Sequence, residues 1–274
     1  MPHRRTRLSL VFAALCAVFV AALLAYDPAD PPQPASAELD CVPQAGDHRI
    51  DGALLHVPRR AHAGLVLAFH GAGGTGDGFV SEAKLTAAAD RLGFAVLYPS
   101  AASRNFWSLN RSMGTRDLDT VRALLPRALA AACTDKVFAT GVSNGGGFTA
   151  RVGCELENVR AIAPVAGGYR ALDACPGKRR VSVLEIHGTG DTVVPYQGRA
   201  PDYKGSVPRY LAGWARRDGC RGKPVASGRG GTTRLTYQHC ARGLHVEHLR
   251  LAGVQHGWPD GAADAVLRFF ARIG

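Results

Sequence analysis

The stretch 136–151, Lys-Val-Phe-Ala-Thr-Gly-Val-Ser-Asn-Gly-Gly-Gly-Phe-Thr-Ala-Arg, constrains the fold more than any other part of the chain. A short apolar run passes into a helix-forming stretch through Gly-x-Ser-x-Gly, a turn tight enough to leave Ser143 at a sharp bend. Gly141 and Gly145 flank that bend, where side chains would collide with a neighbouring strand and helix. Gly146 and Gly147 would each weaken an ordinary helix by about 1 kcal/mol relative to Ala, so their presence predicts close backbone packing. The same succession of apolar run and helical pattern recurs along the chain. Strands are predicted at 48–57, 64–69, 94–98, 136–140, 160–165, 181–186, 233–239 and 246–251, and helices at 79–92, 116–132, 145–155, 206–217 and 261–272. Runs that are apolar without alternation belong to strands buried on both faces, so the pattern predicts an α/β fold with a mostly parallel central sheet and helices on both faces. Pro126 falls inside the 116–132 pattern and is expected to kink that helix or end its first part early. About fifteen residues separate strands 160–165 and 181–186, too few for a large lid.

The first residues stand apart from this pattern. Arg4, Arg5 and Arg7 precede an uncharged, mostly apolar run over 8–25, and a Pro-rich stretch comes next. Residues 1–26 therefore read as a signal peptide or an N-terminal membrane anchor, 27–40 as a Pro-rich linker, and 41–274 as one catalytic-sized domain. Ala35-Ser36-Ala37 fits a small-x-small cleavage site; without cleavage, residues 8–25 would tether the domain to a membrane. Either way the domain lies outside the cytoplasm, secreted or anchored.

Six cysteines remain beyond that segment, Cys41, Cys133, Cys154, Cys175, Cys220 and Cys240. An even number in an exported domain favours three disulfides, although six cysteines permit about 15 pairings. Local closure suggests Cys154–Cys175 and Cys220–Cys240, leaving Cys41 for Cys133. No Cys-x-x-Cys is present, and no metal site is expected. The formal net charge is +11, but the basic residues are mostly scattered Arg without a nucleic-acid-binding motif, so nucleic acid is not an expected partner.

Three polar residues come after apolar runs, each in a distinctive flank. Ser143 lies in Gly-Val-Ser-Asn-Gly, Asp191 in His-Gly-Thr-Gly-Asp, and His256 in Gln-His-Gly-Trp-Pro. A hydroxyl is a poor nucleophile near neutral pH; it needs a base to take its proton and an acid to orient that base. The order Ser, Asp, His is the one α/β-hydrolases use, and it differs from the chymotrypsin and subtilisin orders. Asp260 is the reserve acid. Phe69-His70-Gly71-Ala72-Gly73-Gly74 closes another apolar run, and its backbone N–H groups suit an oxyanion. The expected donors are the N–H groups of Ala72 and Asn144. His70 is expected to be structural. Trp258, Tyr196 and Trp107 are candidate substrate-binding side chains.

Together these motifs resemble the polyhydroxybutyrate depolymerase-like and feruloyl esterase group of α/β-hydrolases. The resemblance runs over nearly all of 41–273, and its specific parts are the Ser-Asn-Gly-Gly turn and the Trp-Pro after His256. It implies an α/β-hydrolase fold and a serine carboxylic-ester hydrolase with Ser143 as nucleophile, Asp191 as acid and His256 as base. It implies no cofactor. The expected partner is a small-molecule or oligomeric ester, acted on by a monomer. A hydroxybutyrate ester is the first substrate reading, and a feruloyl or acetyl ester of plant polysaccharide the alternative. An acyltransferase or peptidase would use the same triad, and a non-catalytic binding protein would be expected to have lost part of it.

Overall fold

The computed structural model describes residues 41–103, 105–169, 179–199 and 205–274. The chain divides into two units, Met1–Cys41 and Val42–Gly274. The expected signal or anchor and the linker fall in the first, outside the described residues, and the second is the catalytic-sized domain. Among the described residues no helix is long and apolar enough to cross a membrane.

The strands are β1 (Gly46–Ile50), β2 (Ala53–Val57), β3 (Gly64–Phe69), β4 (Phe94–Tyr98), β5 (Val137–Val142), β6 (Val159–Val165), β7 (Ser182–Gly188), β8 (Val225–Arg229), β9 (Thr232–Thr236) and β10 (Val246–Leu251). The helices are α1 (Gly76–Ala83), α2 (Leu85–Leu92), α3 (Arg116–Ala132), α4 (Asn144–Glu155), α5 (Val207–Arg217) and α6 (Ala262–Ala271). All ten strands form one sheet in the order β1-β2-β4-β3-β5-β6-β7-β10-β9-β8. The six from β4 to β10 in that order are parallel, and an antiparallel pair extends each edge.

Strand alternation divides the core into two layers. Leu65, Leu67 and Phe69 of β3 join Leu118 and Val121 of α3, Phe148 of α4 and Trp214 of α5. Val66 and Ala68 of the same strand join Phe79 of α1, Leu85 of α2 and Phe270 of α6 on the other face. Because the central strands run the same way, their carboxyl ends lie along one edge, and the loops after β3, β5, β7 and β10 meet there.

Four sequence expectations need correction. Residues 48–57 are not one strand: Asp51 and Gly52 both have positive φ and turn β1 back onto β2. The expected helix 79–92 is two helices, broken at Lys84, whose φ of 50° is left-handed. Pro126 does not end α3, which runs unbroken from Arg116 to Ala132. Pro126 lies on the exposed face, where water can hydrate the carbonyl four residues back that has lost its donor. Finally, β8 has no counterpart among the predicted strands. It is exposed along its whole length and carries no apolar alternation.

Candidate active site

Ser143 sits between β5 and α4 with φ 56° and ψ −116°, a conformation that L residues rarely adopt and that points to constraint by the surroundings. The constraint is visible in the glycines. A Cβ on Gly145 would stand 2.2 Å from the Phe69 carbonyl oxygen and 2.4 Å from that of His70, both backbone atoms that cannot step aside. A Cβ on Gly141 would stand 2.6 Å from the Phe69 oxygen. The turn is thus pressed against the end of β3, and only glycine allows it. As first residue of α4, Asn144 has a backbone N–H with no intrahelical acceptor.

The loop after β3 lies against this turn. A Cβ on Gly71 would be 3.7 Å from the Cβ of Ser143, so this loop borders the hydroxyl, and Ala72 beside it is exposed. Two braces hold the loop. The Gly73 N–H donates to the Asn105 carbonyl at 2.8 Å. His70 accepts from the Ala101 N–H through Nε2 at 3.1 Å and donates through Nδ1 to the Gly71 carbonyl at 2.7 Å. That pairing fixes a neutral ring, and burial pushes the His70 pKa down. His70 is structural, as expected.

The structure brings Ser143, Asp191 and His256 together. The Ser143 hydroxyl donates to His256 Nε2 at 2.8 Å, and His256 Nδ1 donates to Asp191 Oδ2 at 2.7 Å. Asp191 is buried, and its Oδ1 accepts from the N–H groups of Val193 at 2.9 Å and Val194 at 2.7 Å. The loops carrying Asp191 and His256 are registered on each other by backbone contacts. Gly190 N–H donates to Val254 O at 3.1 Å, Thr189 N–H to Leu251 O at 2.8 Å, and Gly253 N–H to the Thr189 hydroxyl at 2.9 Å. The reserve acid, Asp260, is exposed; the hydrogen bond of His256 goes to Asp191. Glu82 on α1 lies within electrostatic reach of His256; burial raises its pKa and His256 pulls it back.

The three aromatic candidates fare differently. Trp107 is fully buried, stacked on Phe148 at 4.7 Å between ring centres, with its indole N–H donated to the His70 carbonyl. It is core and cannot line an open pocket, which corrects the sequence expectation. Trp258 is half-buried, edge-on to Phe79 at 5.4 Å, and ties the loop of His256 to α1. Tyr196 is half-buried and its hydroxyl meets His248 Nε2 at 3.0 Å.

Sequence reasoning missed two sets of residues. The Asn144 side chain clamps the backbone of Trp107, accepting its N–H at 2.7 Å and donating to its carbonyl at 3.1 Å. Behind Asp191, fully buried Glu185 and His187 on β7 join His248 on β10 and Tyr169 in one polar cluster. The signal for these was only that two polar residues interrupt an otherwise apolar strand at i and i+2.

Cys220 and Cys240 form the expected disulfide, with an S–S distance of 2.07 Å. Cys41, Cys133 and Cys154 are disulfide-bonded too, whereas Cys175 lies outside the described residues. Among the described residues no group of three or more His, Cys, Asp or Glu could hold a metal ion.

Comparison with known structures names the architecture. An acetyl xylan esterase from Aspergillus awamori superposes with a TM-score of 0.62 over 80% of this chain and 93% of that one, at 17% identity. This is an α/β-hydrolase fold. In sequence, the chain is 28% identical over 159 residues to feruloyl esterase B of Piromyces equi, 53% of this chain and 30% of that protein. It is 27% identical over 208 residues to a bifunctional acetylxylan esterase/xylanase of Neocallimastix patriciarum, 70% of this chain and 28% of that protein. The chain thus spans less than a third of either of these relatives. No family model matches it.

Proposed function

We propose that this α/β-hydrolase is an exported serine carboxylic-ester hydrolase working through an acyl-enzyme. The observation that carries the reading is the unbroken hydrogen-bonded chain from Ser143 through His256 to Asp191, at 2.8 Å and 2.7 Å, starting from a serine held at φ 56°. Ser143 Oγ attacks the ester carbonyl while His256 Nε2 takes its proton. Asp191, acceptor-only and buried, fixes the tautomer and stabilises the imidazolium that forms. The backbone N–H groups of Ala72 and Asn144 receive the oxyanion. His256 then returns the proton to the departing alcohol, and water, activated by the same imidazole, releases the acid. The oxidised cysteines and the basic, then apolar, first 25 residues support export.

For the acyl group, the names of the relatives favour a feruloyl or acetyl ester of plant polysaccharide, which the sequence motifs alone rank behind a hydroxybutyrate ester. An ester panel separates the two: p-nitrophenyl acetate and butyrate, methyl ferulate, acetylated xylan and 3-hydroxybutyrate oligomers. Hydrolysis of methyl ferulate or acetylated xylan well above that of the oligomers is the expected result, and the reverse order would restore the depolymerase-like reading. Ser143→Ala in folded protein should lower kcat by about 10⁴–10⁶-fold. Near-wild-type activity in that variant would refute the mechanism itself.

A further inference from the structure

Two ionisable side chains of β7, Glu185 and His187, point to one side of the strand, are fully buried, and have no part in the steps above. The Nε2 of His187 lies 2.9 Å from the Val194 carbonyl oxygen and 3.2 Å from Asp191 Oδ2. A carbonyl oxygen only accepts, so Nε2 carries a proton. Nδ1 lies 3.0 Å from Glu185 Oε1, which already accepts the Tyr169 hydroxyl at 2.7 Å. The other carboxylate oxygen, Oε2, lies 2.6 Å from His248 Nδ1, but the Nδ1 proton is donated to the Glu185 carbonyl at 3.1 Å, so the contact with Oε2 is electrostatic only. Oε1 thus faces the Tyr169 hydroxyl and His187 Nδ1 together, an arrangement that suits an ionised Glu185 and a proton on His187 Nδ1 as well.

We propose that His187 is a permanently charged imidazolium that acts as a positioning residue, fixing the Asp191 carboxylate and offsetting part of the negative charge that it presents to His256. The proposal rests on the reading of Ser143, Asp191 and His256 as the catalytic unit. Glu185 is the counter-ion that makes a buried cation tolerable. The directions of the proton equilibria agree. For Glu185, burial alone would raise the pKa, but the neighbouring His248 and His187 lower it to about 2. For His187, burial alone would lower it, and the hydrogen bond and charge of Glu185, with Val194 and Asp191, raise it instead. The flanking phenols stay neutral: burial raises Tyr169 well above its ordinary value and Tyr196 to about 12. Glu82 on α1, within electrostatic reach of His256, is a carboxylate and acts in the opposite sense.

A fixed positive charge just beyond Asp191 opposes protonation of His256 and so keeps the base free of its proton toward lower pH. Removing it should move the acid limb of kcat/KM upward by roughly half to one pH unit, taking an effective dielectric near 20 and partial compensation by Glu185. The experiment compares pH profiles of wild type, His187→Gln and, as control with a charge of opposite sign, Glu82→Gln. His187→Gln should shift the limb up and reduce plateau kcat about tenfold with KM little changed, since this side chain cannot reach substrate. Glu82→Gln should shift it down. A His187→Gln limb within 0.2 unit of wild type overturns the proposal while wild-type, Ser143-dependent hydrolysis leaves the parent mechanism intact; loss of Ser143 dependence would sink the parent instead. Nitrogen NMR of wild type with labelled histidine rings needs no folded variant. One ring protonated on both nitrogens at pH 8.5 is expected, and its absence overturns the proposal.

Discussion

The Asn144 side chain separates two contributions that share one residue. Its backbone N–H is assigned to the oxyanion, while its amide group holds the backbone of Trp107 through two hydrogen bonds, 2.7 Å and 3.1 Å long, in a site only 6% exposed. Asn144→Ala keeps the N–H and removes the clamp. A buried donor and a buried acceptor of Trp107 are then left without partners, and each such loss costs about 1–3 kcal/mol. Water entering the small space left would recover part of that, so a net destabilisation of about 2–4 kcal/mol is expected. Activity should fall as well, because the segment at Trp107 also braces the loop of Ala72 through its indole contact with His70 and through Asn105 and Gly73. Asn144→Asp sharpens the test. It retains the acceptor for the Trp107 N–H but sets a carboxylate oxygen against the Trp107 carbonyl and brings negative charge to where an oxyanion must form. Its kcat should therefore drop further than that of the Ala variant, by about 10²-fold or more, at comparable stability. Equilibrium urea unfolding under non-reducing conditions and steady-state kinetics on one soluble ester measure both effects. An Ala variant within 0.5 kcal/mol of wild type would show that the clamp holds nothing, and an Asp variant as active as the Ala variant would refute the placement of the oxyanion at this N–H.

Three further outcomes are expected. Asp218 is fully buried with neither oxygen at hydrogen-bonding geometry, and burial raises its pKa to about 7 despite the pull of Arg180, Arg217 and the Val181 amide. A folded pKa above the unfolded one penalises the native state increasingly as pH rises from about 4 to about 7. Asp218→Asn should thus gain stability relative to wild type by roughly 1–3 kcal/mol over that window and then level off, and a difference flat from pH 4 to 8.5 in urea unfolding would contradict it. Gly145→Ala should lose about 2–4 kcal/mol and nearly all activity, since its methyl would displace the Phe69 and His70 carbonyls; a melting temperature and kcat near wild type would mean that the turn has slack. Non-reducing peptide mapping of the oxidised protein should return Cys220–Cys240 with Cys154–Cys175 and Cys41–Cys133, and Cys175 recovered as a free thiol would exclude the proposed pairing.

Much of this architecture is legible in the sequence. The strands β3, β4 and β10 are expected with the same bounds they have: β3 and β4 are buried on both faces, carry no charged residue and end where polar turns begin, while β10 has Val246, Leu249 and Leu251 but carries Glu247, His248 and Arg250 between them. The Gly-x-Ser-x-Gly turn dictates the crossover from strand to helix, since the close approach to Phe69 and His70 admits no side chain at Gly141 or Gly145. Local pattern also locates Ser143, Asp191 and His256, each just after a strand of the central sheet. It fails where local and global preferences part. The exposed β8 has no apolar period to read, Pro126 breaks a rule of isolated helices that a helix anchored on a sheet can absorb, and an aromatic beside a loop, such as Trp107, gives no sign of whether it faces solvent or core. What only the tertiary structure decided is which groups meet. Ser143 and His256 are 113 residues apart in sequence yet share a proton at 2.8 Å. His187 contacts Glu185, two residues before it on the same strand, and Asp191, four residues after it, in one buried cluster with His248 from β10. Periodicity reports burial, which is a property of single residues against solvent. Hydrogen bonds and charges act over a few ångströms between particular atoms, and those distances exist only once the sheet has brought its strand ends together.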